Sequence, residues 1–336
     1  MDRLVSAIVV NWNGLDLLES CFYSIFSQTY TNLEVIMVDC ASRDDSLRFV
    51  ERNYPAVRLI ALEEDRGPAH AINLGAREAR GDYVLILNND VILPQEMLST
   101  LMEKMSDEQV CVINPVEVSW GGEYLGSGCY SGWIGRFLYR LVRLRGSMPF
   151  YPSTACCLTP KDVVTDNPLN ENLFMYEDTE WGWRLHLKQI AIKVADDVHF
   201  LHRGSGSEDT PYSPKQAFFV GRAVTATCFI CFKVPTMIVM LPVLACNYLW
   251  QVLIYARRKK FRSIIAYTKG HFAFFAKLRD FMEDHRKSQK ERTIGDLQIL
   301  KIMIGSIDFA RRATREWSEA KRPGMRRITA EAQVVG

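Results

Sequence analysis

Asp82-Tyr83-Val84-Leu85-Ile86-Leu87-Asn88-Asn89-Asp90 is the stretch that decides the fold. Tyr83 to Leu87 are apolar without a polar alternation, as a strand buried on both faces requires. The run stops at three polar residues, the last a carboxylate. In sheets covered by helices on both sides, ligands sit beyond the carboxyl ends of the strands. A carboxylate delivered there suits a hard divalent cation that also contacts phosphates. By itself, an Asp after a strand is more often a turn residue, and here the turn leads towards Pro94.

The same design repeats upstream. Residues 4–11 are an apolar run, and 16–26 carry apolar residues at 17, 18, 21, 22, 25 and 26, which is helical spacing. Further strands are predicted at 33–39, 57–62, 82–88 and 110–116, and helices at 44–52, 68–80 and 94–105. Pro68 is tolerated in a first helical turn. This alternation predicts an α/β fold with a mostly parallel central sheet. The loops that matter are then Asn11 to Gly14, Asp39 to Ser42 and Asn88 to Asp90.

Downstream the pattern changes. Residues 119–160 are rich in Gly, Ser and aromatics and read as loop and irregular structure. A helix is expected at 176–188, opened by acidic residues that suit the positive end of its dipole. A strand is expected at 191–200, followed by His202. Residues 223–256 contain one charge, Lys233, and 234–256 contain none. That length could cross a bilayer. The N-terminal apolar segment 4–10 is too short to do so, and no signal peptide is expected.

The chain has 336 residues and a net charge of +2. Residues 257–336 hold 20 Lys/Arg against 9 Asp/Glu, whereas residues 1–256 hold 21 against 30. An acidic first part and a basic last part imply different partners. Nine cysteines without metal-ligand spacing imply reduced thiols and a cytosolic setting. A basic tail also suits nucleic acid. However, the long apolar run and the lack of interleaved basic and aromatic residues argue for no nucleic acid partner.

Four constellations carry chemistry. Asp90 is placed to serve a metal. Asp39, ending a strand at the same sheet edge, is placed to accept from a nucleobase N–H or a ribose hydroxyl, while Ser42 or Asp44 caps the next helix. Glu177-Asp178-Thr179-Glu180-Trp181-Gly182-Trp183-Arg184 combines candidate general bases with aromatic faces that suit sugar C–H surfaces. A solvated helix start with core tryptophans explains the same residues equally well. His202, followed by Gly204-Ser205-Gly206-Ser207, combines a candidate metal ligand with groups suited to phosphate.

In this order the segments resemble family 2 glycosyltransferases of the GT-A fold, and most nearly their rhamnosyltransferase-like branch. The resemblance rests on Ile8 to Gly14, Cys21 to Ile25, Gln28 to Asp39, Gly67 to Gly75, Leu87 to Asp90, Asn170 to Arg184 and His202 to Ser207. It covers roughly residues 4–225. It implies an inverting transfer of one sugar from a nucleotide-sugar, such as dTDP-rhamnose or a UDP-sugar, to a polysaccharide or lipid-linked acceptor of the cell envelope. Asp178 would be the base, with Glu177 as the alternative. Asn11, Asn13, Asp39, Ser42, Asn73, Asn88 and Asn89 would line the donor site. Asp90 with His202 would hold Mg²⁺ or Mn²⁺. Trp181, Trp183, Arg184 and Ser205 would shape the acceptor and phosphate side. The chain departs from the pattern at Asn88, where an acidic residue is common, at Asn170, where Asp is commoner, and at Glu180, where a second Asp is frequent. No Gln-X-X-Arg-Trp motif is present, which argues for a single addition rather than a processive synthase.

The expected organisation is a nucleotide-sugar-binding half at 1–118, an acceptor-binding catalytic half at 119–215, a hydrophobic and amphipathic helical region at 216–321 and a disordered tail at 322–336. A single span through 234–256 would put the basic tail outside, against the preference of basic flanks for the cytoplasm. A hairpin resolves the conflict, with 217–232 entering, a break at 233–235 and 237–256 returning. The protein is thus expected on the cytoplasmic face of the cell membrane, peripheral or re-entrant. A second copy of the chain is a further candidate partner. Two rival readings remain. A nucleotidyltransferase would need a basic Gly-rich loop after the first strand, and Asn11 to Gly14 has no Lys or Arg. A catalytically inactive scaffold of a membrane complex draws support only from Asn88.

Overall fold

A computed structural model describes residues 3–107, 112–126, 145–146, 148–204 and 212–319. Strands β1 (Val5–Asn11), β2 (Leu33–Asp39), β3 (Arg58–Ala61) and β4 (Tyr83–Asn88) pair in parallel in the order β3-β2-β1-β4. Their connections are the helices α1 (Leu15–Phe26), α2 (Ser46–Asn53) and α3 (Pro68–Glu78). β1, β2 and β4 are largely buried on both faces, so neighbouring residues feed different cores. Val5, Ala7 and Val9 pack with Leu18, Phe22 and Leu98, whereas Ile8 packs with Ile36, Ile72 and Ile86 on the opposite side. Close approach is built into the second face: a Cβ on Gly75 of α3 would lie 2.5 Å from Ile8 Cγ2.

Beyond β4 the sheet is mixed rather than mostly parallel. The strand β5 (Val91–Ile92) follows β4 at once, and α4 (Met97–Asp107) leads to β6 (Val112–Ser119) and β7 (Tyr124–Gly126). β8 (Cys156–Pro160) runs antiparallel between β4 and β6, inside the region expected to be loop. Four of its five residues are buried. The Gly- and aromatic-rich flanks hid a short strand that needs no alternation. Helices α5 (Lys161–Asp166) and α6 (Glu177–Leu187) lead to β9 (Ile192–His202), which pairs in parallel with β6 and antiparallel with β5.

The rest is helical: α7 (Pro214–Cys231), α8 (Val234–Arg257), α9 (Phe261–Ala276), α10 (Leu278–Glu291) and α11 (Asp296–Glu319). The break at 232–233 falls where expected, but much of α7 packs into the protein. Ala223, Ala226, Ile230 and Cys231 of α7 are buried with Phe274, Phe281, Ile299 and Met303 around Trp183 of α6. By contrast, α8 exposes Ile238, Val239, Leu241, Leu249, Trp250 and Leu253. It is the one described helix long and apolar enough to cross a membrane. The tail expected from 322 lies outside the described residues.

Two glycines let α7 and α9 touch backbone to backbone. A Cβ on Gly270 would sit 2.1 Å from the Phe218 carbonyl, and one on Gly221 would sit 2.4 Å from the Tyr267 carbonyl. Gly270→Ala gains about 1 kcal/mol of helix propensity. It also forces the helices apart, and overpacking costs about 1–3 kcal/mol, at the high end when the clash is with backbone. Net destabilisation is expected, read as a fall of a few degrees in the thermal midpoint. A midpoint at or above that of the wild type would show that the helices separate without loss.

Candidate active site

Four chain segments meet at the carboxyl edge of β1, β2 and β4. Asn11 and Asp39 are register partners across β1 and β2, and both are fully buried. Asn11 Nδ2 donates to Asp39 Oδ2 at 2.7 Å, and the Ser42 backbone N–H donates to Asp39 Oδ1 at 2.8 Å. Each carboxylate oxygen therefore has one donor and keeps a lone pair for a ligand. Ser42 does not cap α2. Its hydroxyl accepts from the Asn13 backbone N–H at 2.8 Å and tightens the loop after β1. Asp44 serves both neighbouring helix starts, accepting from Leu15 N and Ser46 N. Asn13 and Ala41 hold positive φ angles of 49° and 57°, so the two facing loops are both sharply turned. Asn13 Oδ1 accepts from Arg43 N.

Asn89 Nδ2 donates to Asn11 Oδ1 at 2.6 Å, joining the end of β4 to this cluster. Gly14 makes room for that contact, since a Cβ there would lie 1.9 Å from Asn89 Nδ2. Asn88 continues the sheet through its backbone, donating N–H to Ala155 O. Over the cluster, Trp12 stands 48% exposed with Lys215 Nζ of α7 5.6 Å from its ring centroid. An exposed indole at a sheet edge, covered by a cation, is a natural platform for a planar base.

Asp90 and His202 come together as expected. His202 Nε2 lies 3.0 Å from Asp90 Oδ1, because β5 pairs with the end of β9. On its other side, His202 Nδ1 lies 2.6 Å from Glu117 Oε1. Burial disfavours a charge on His202, but the hydrogen bonds to Asp90 and Glu117 outweigh it and push its pKa up to about 10. The proton held there marks a position where positive charge is favoured. A carboxylate behind an imidazole that faces a second carboxylate is also the usual outer-shell support of a metal-binding histidine. Among the described residues no cluster of three or more His, Cys, Asp or Glu could hold a metal ion. Asp90 and His202 are two groups, so a cation held here would need phosphates to supply its remaining ligands.

Glu117 was not foreseen, though a lone carboxylate in the apolar run Val112 to Val118 was its signal. Besides orienting His202, it raises the Asp178 pKa through its charge, so the two carboxylates lie near one another.

Asp178 opens α6. Its Oδ1 accepts from the Thr179 backbone N–H at 2.6 Å. Burial raises its pKa above the ordinary carboxylate range, and the Glu117 charge adds to this against the Thr179 hydrogen bonds. Glu177 beside it is buried and shifted upward more strongly, first by burial and then by Asp178. The preceding Tyr176 has φ 66°, a left-handed turn that brings the chain into the helix at this point.

Glu177 has a stability consequence. A carboxyl with a folded-state pKa above its unfolded value of about 4.3 binds its proton more tightly when folded. Its stabilisation is present below that unfolded value and is lost as pH rises through the folded pKa. Glu177→Gln is therefore expected to raise the calorimetric midpoint at pH 8 and leave it unchanged at pH 4. An equal shift at both pH values would remove the electrostatic explanation.

Three expected acceptor-side residues are placed elsewhere. Trp181 is fully buried, with its indole N–H donating to Asn167 O at 2.7 Å. Trp183 packs edge-on against Phe150 and Phe232. Arg184 Nε pairs with the fully buried Glu180 at 2.7 Å and its Nη2 donates to Pro168 O. All three hold α6 in place and none offers a face to a sugar. Asn73 is likewise a tie rather than a donor contact: its amide bonds both the N–H and the carbonyl of Leu169. Ser205 lies outside the described residues.

A twisted α/β sheet with a buried Asp at one strand end, an Asp–His pair at another and a helical C-terminal region defines a GT-A-like fold. The mannosyltransferase PcManGT of Pyrobaculum calidifontis, solved with GDP-Man and Mn²⁺, superposes with a TM-score of 0.53 at 16% identity, covering 96% of this chain and 89% of that one. In sequence, residues 6–163 match the model of Glycosyl transferase family 2. Glycosyltransferase GlyG of Streptococcus pneumoniae serotype 4 is 32% identical over 116 residues, 34% of this chain and 38% of GlyG. Succinoglycan biosynthesis protein ExoO of Rhizobium meliloti is 32% identical over 124 residues, 36% of each chain. The chain thus spans well under half the length of these relatives.

Proposed function

We propose that this protein is an inverting glycosyltransferase that adds one sugar to a lipid-linked or polysaccharide acceptor in cell-envelope glycan synthesis. The donor is a nucleotide-sugar, with dTDP-rhamnose or a UDP-sugar the favoured class on the rhamnosyltransferase-like sequence pattern. What supports the reading is placement: Asp39 ends β2 beside Asn11, Asp90 follows β4 and meets His202, and His202 meets the Glu117 whose charge reaches Asp178.

Asp39, held by Asn11 and the Ser42 N–H, would accept from the base or ribose. Asp178 would remove the proton from the acceptor hydroxyl while its oxygen bonds to the anomeric carbon. The bond from that carbon to the diphosphate breaks, and the diphosphate leaves with the electron pair. Asp90 and His202 would hold Mg²⁺ or Mn²⁺, which supplies charge neutralisation for the leaving group. Glu117 would keep the His202 ring in place. A buried carboxylate with a raised pKa is a better base near neutral pH than a free one.

The test is a thermal-shift screen of nucleotide-sugars with Mn²⁺, followed by a donor-hydrolysis assay. Bound ligand raises the midpoint with the logarithm of its concentration over its Kd. Stabilisation together with metal-dependent hydrolysis supports the reading. Stabilisation by no nucleotide-sugar would sink it, and stabilisation without hydrolysis would favour the inactive scaffold.

The reading places the protein at the cytoplasmic face of the membrane. The exposed apolar residues of α8, together with exposed Phe261, Ile265, Phe272 and Phe275 on α9, support this. Arg257-Arg258-Lys259-Lys260 joins the two helices and suits anionic headgroups. The full chain is expected to float with vesicles containing phosphatidylglycerol and to float less as salt rises. Failure to float at low salt would remove the membrane assignment and leave the catalytic one standing.

A further inference from the structure

A second concavity lies beside the catalytic helix start. It measures about 560 Å³ and is lined by Arg66, Asn172, Phe174, Phe219, Arg222 and Lys277, with Glu171 on its wall. Phe174 and Phe219 stack with ring centroids 5.1 Å apart and form an apolar side. The other side is cationic. Glu171 is already engaged, accepting from His70 Nδ1 at 2.7 Å and Asn73 Nδ2 at 3.1 Å and pairing with Arg66 at 3.4 Å.

Arg222 and Lys277 are different. Arg222 donates to the Asn172 carbonyl, and Lys277 Nζ donates to Asn172 Oδ1 at 3.0 Å. Among the described residues neither has a carboxylate within ion-pair distance. Burial without a counter-charge lowers the Arg222 pKa. Holding a half-buried guanidinium without an anion is costly, and a bidentate donor of this kind suits phosphate oxygens. Both residues lie beyond the family-matched residues 6–163.

Position then selects the ligand. Phe174 is four residues before Asp178, and a Cβ on Gly67 would come within 3.0 Å of its ring, so the cup borders the catalytic loop. On its far side, Lys277 directly follows α9, whose exposed face carries Phe272 and Phe275. The cup therefore lies between the segment leading to the candidate base and the helix that exposes Phe272 and Phe275. We infer that it holds the phosphate groups of a polyprenyl-diphosphate-linked acceptor, with the glycan reaching Asp178 and the lipid running along α9. This rests on the glycosyltransferase reading above.

The experiment uses the full chain in detergent. Farnesyl diphosphate binding is measured by calorimetry in EDTA, with inorganic pyrophosphate as competitor. UDP, GDP and dTDP are measured separately with Mn²⁺. Wild-type protein is expected to bind farnesyl diphosphate in competition with pyrophosphate. Lys277→Glu and Arg222→Gln should each weaken it about tenfold or more, the scale of a lost charge-assisted hydrogen bond, with nucleotide affinity unchanged. Lys277 is exposed, so its variant keeps the test open if Arg222→Gln folds poorly. Equal loss of nucleotide affinity in Lys277→Glu would assign the cup to the donor diphosphate and overturn the inference. So would undiminished farnesyl diphosphate binding in both variants, or none in the wild type. Farnesyl diphosphate binding that falls in the variants, with no nucleotide bound by the wild type, would keep the phosphate cup and overturn the donor reading instead.

Discussion

Asp178→Asn is expected to abolish sugar transfer while leaving nucleotide affinity intact. The amide has the size of the carboxylate, and its oxygen can still accept the Thr179 N–H that now reaches Asp178 Oδ1. Only the ability to take a proton is removed. A positioned general base contributes about 10²–10⁴ in rate, and a fall in kcat of that size with donor KM unchanged is the expected result. The wild-type pH profile should agree with it. The base works deprotonated, so kcat/KM rises with pH through its pKa. Burial, with Glu117 nearby, raises that pKa, so the acid limb should lie above the range of a free carboxylate. Asp178→Asn should remove the limb together with the activity. The neighbouring carboxylate provides the control. Glu177 is more deeply buried, and burial and the Asp178 charge both raise its pKa against the hydrogen bond from its own backbone N–H. Full activity in Asp178→Asn with loss in Glu177→Gln would exchange their roles.

The parts of this molecule legible in the sequence are those governed by local period. Residues 83–87 are a short run of five apolar side chains bounded by polar residues, which suits a doubly buried strand, and β4 lies where the pattern predicts it. The same holds for β1, β2 and α1. What was not legible depended on partners distant in the chain. Cys156 to Pro160 is too short to show a period, and only β4 and β6 on either side make it a strand. Trp181 and Trp183 have the composition of a sugar platform. Whether they face a sugar or a core is decided by Asn167, Phe150 and Phe232, and all three draw the indoles inward. Asn73 was expected at the donor site only through the family resemblance of Gly67 to Gly75, and its amide bonds the Leu169 N–H and carbonyl, partners distant in the chain. Glu117 was missed for the converse reason: its role exists only because β6 and β9 pair in a register that sets Ser119 opposite His202. The phosphate cup was invisible for the same cause, since Arg66, Arg222 and Lys277 belong to three separate segments.

Asp90→Ala is the second change with a large expected effect, and it acts at a different step. Asn88 and Asn89 are neutral, so Asp90 is the single carboxylate of this strand end. Asn89 is already committed to Asn11. Removing Asp90 leaves His202 held only by Glu117, an imidazole without the carboxylate it faces at 3.0 Å. A half-site reduced from two protein ligands to one should lose most of its hold on a divalent cation. Turnover should then fall at least about a hundredfold, the loss expected when the leaving diphosphate goes unneutralised. The distinguishing readout is binding. In the wild type, Mn²⁺ should strengthen nucleotide affinity over that in EDTA. In Asp90→Ala the two values should coincide, because the phosphate end of the ligand would gain nothing from the metal while the proposed contact of Asp39 with the base would remain. Asn88→Ala, which removes no charge, should leave the metal effect in place. Persistent strengthening by Mn²⁺ in Asp90→Ala would move the cation site away from this strand end, and with it the meaning of the Asp90–His202 pair.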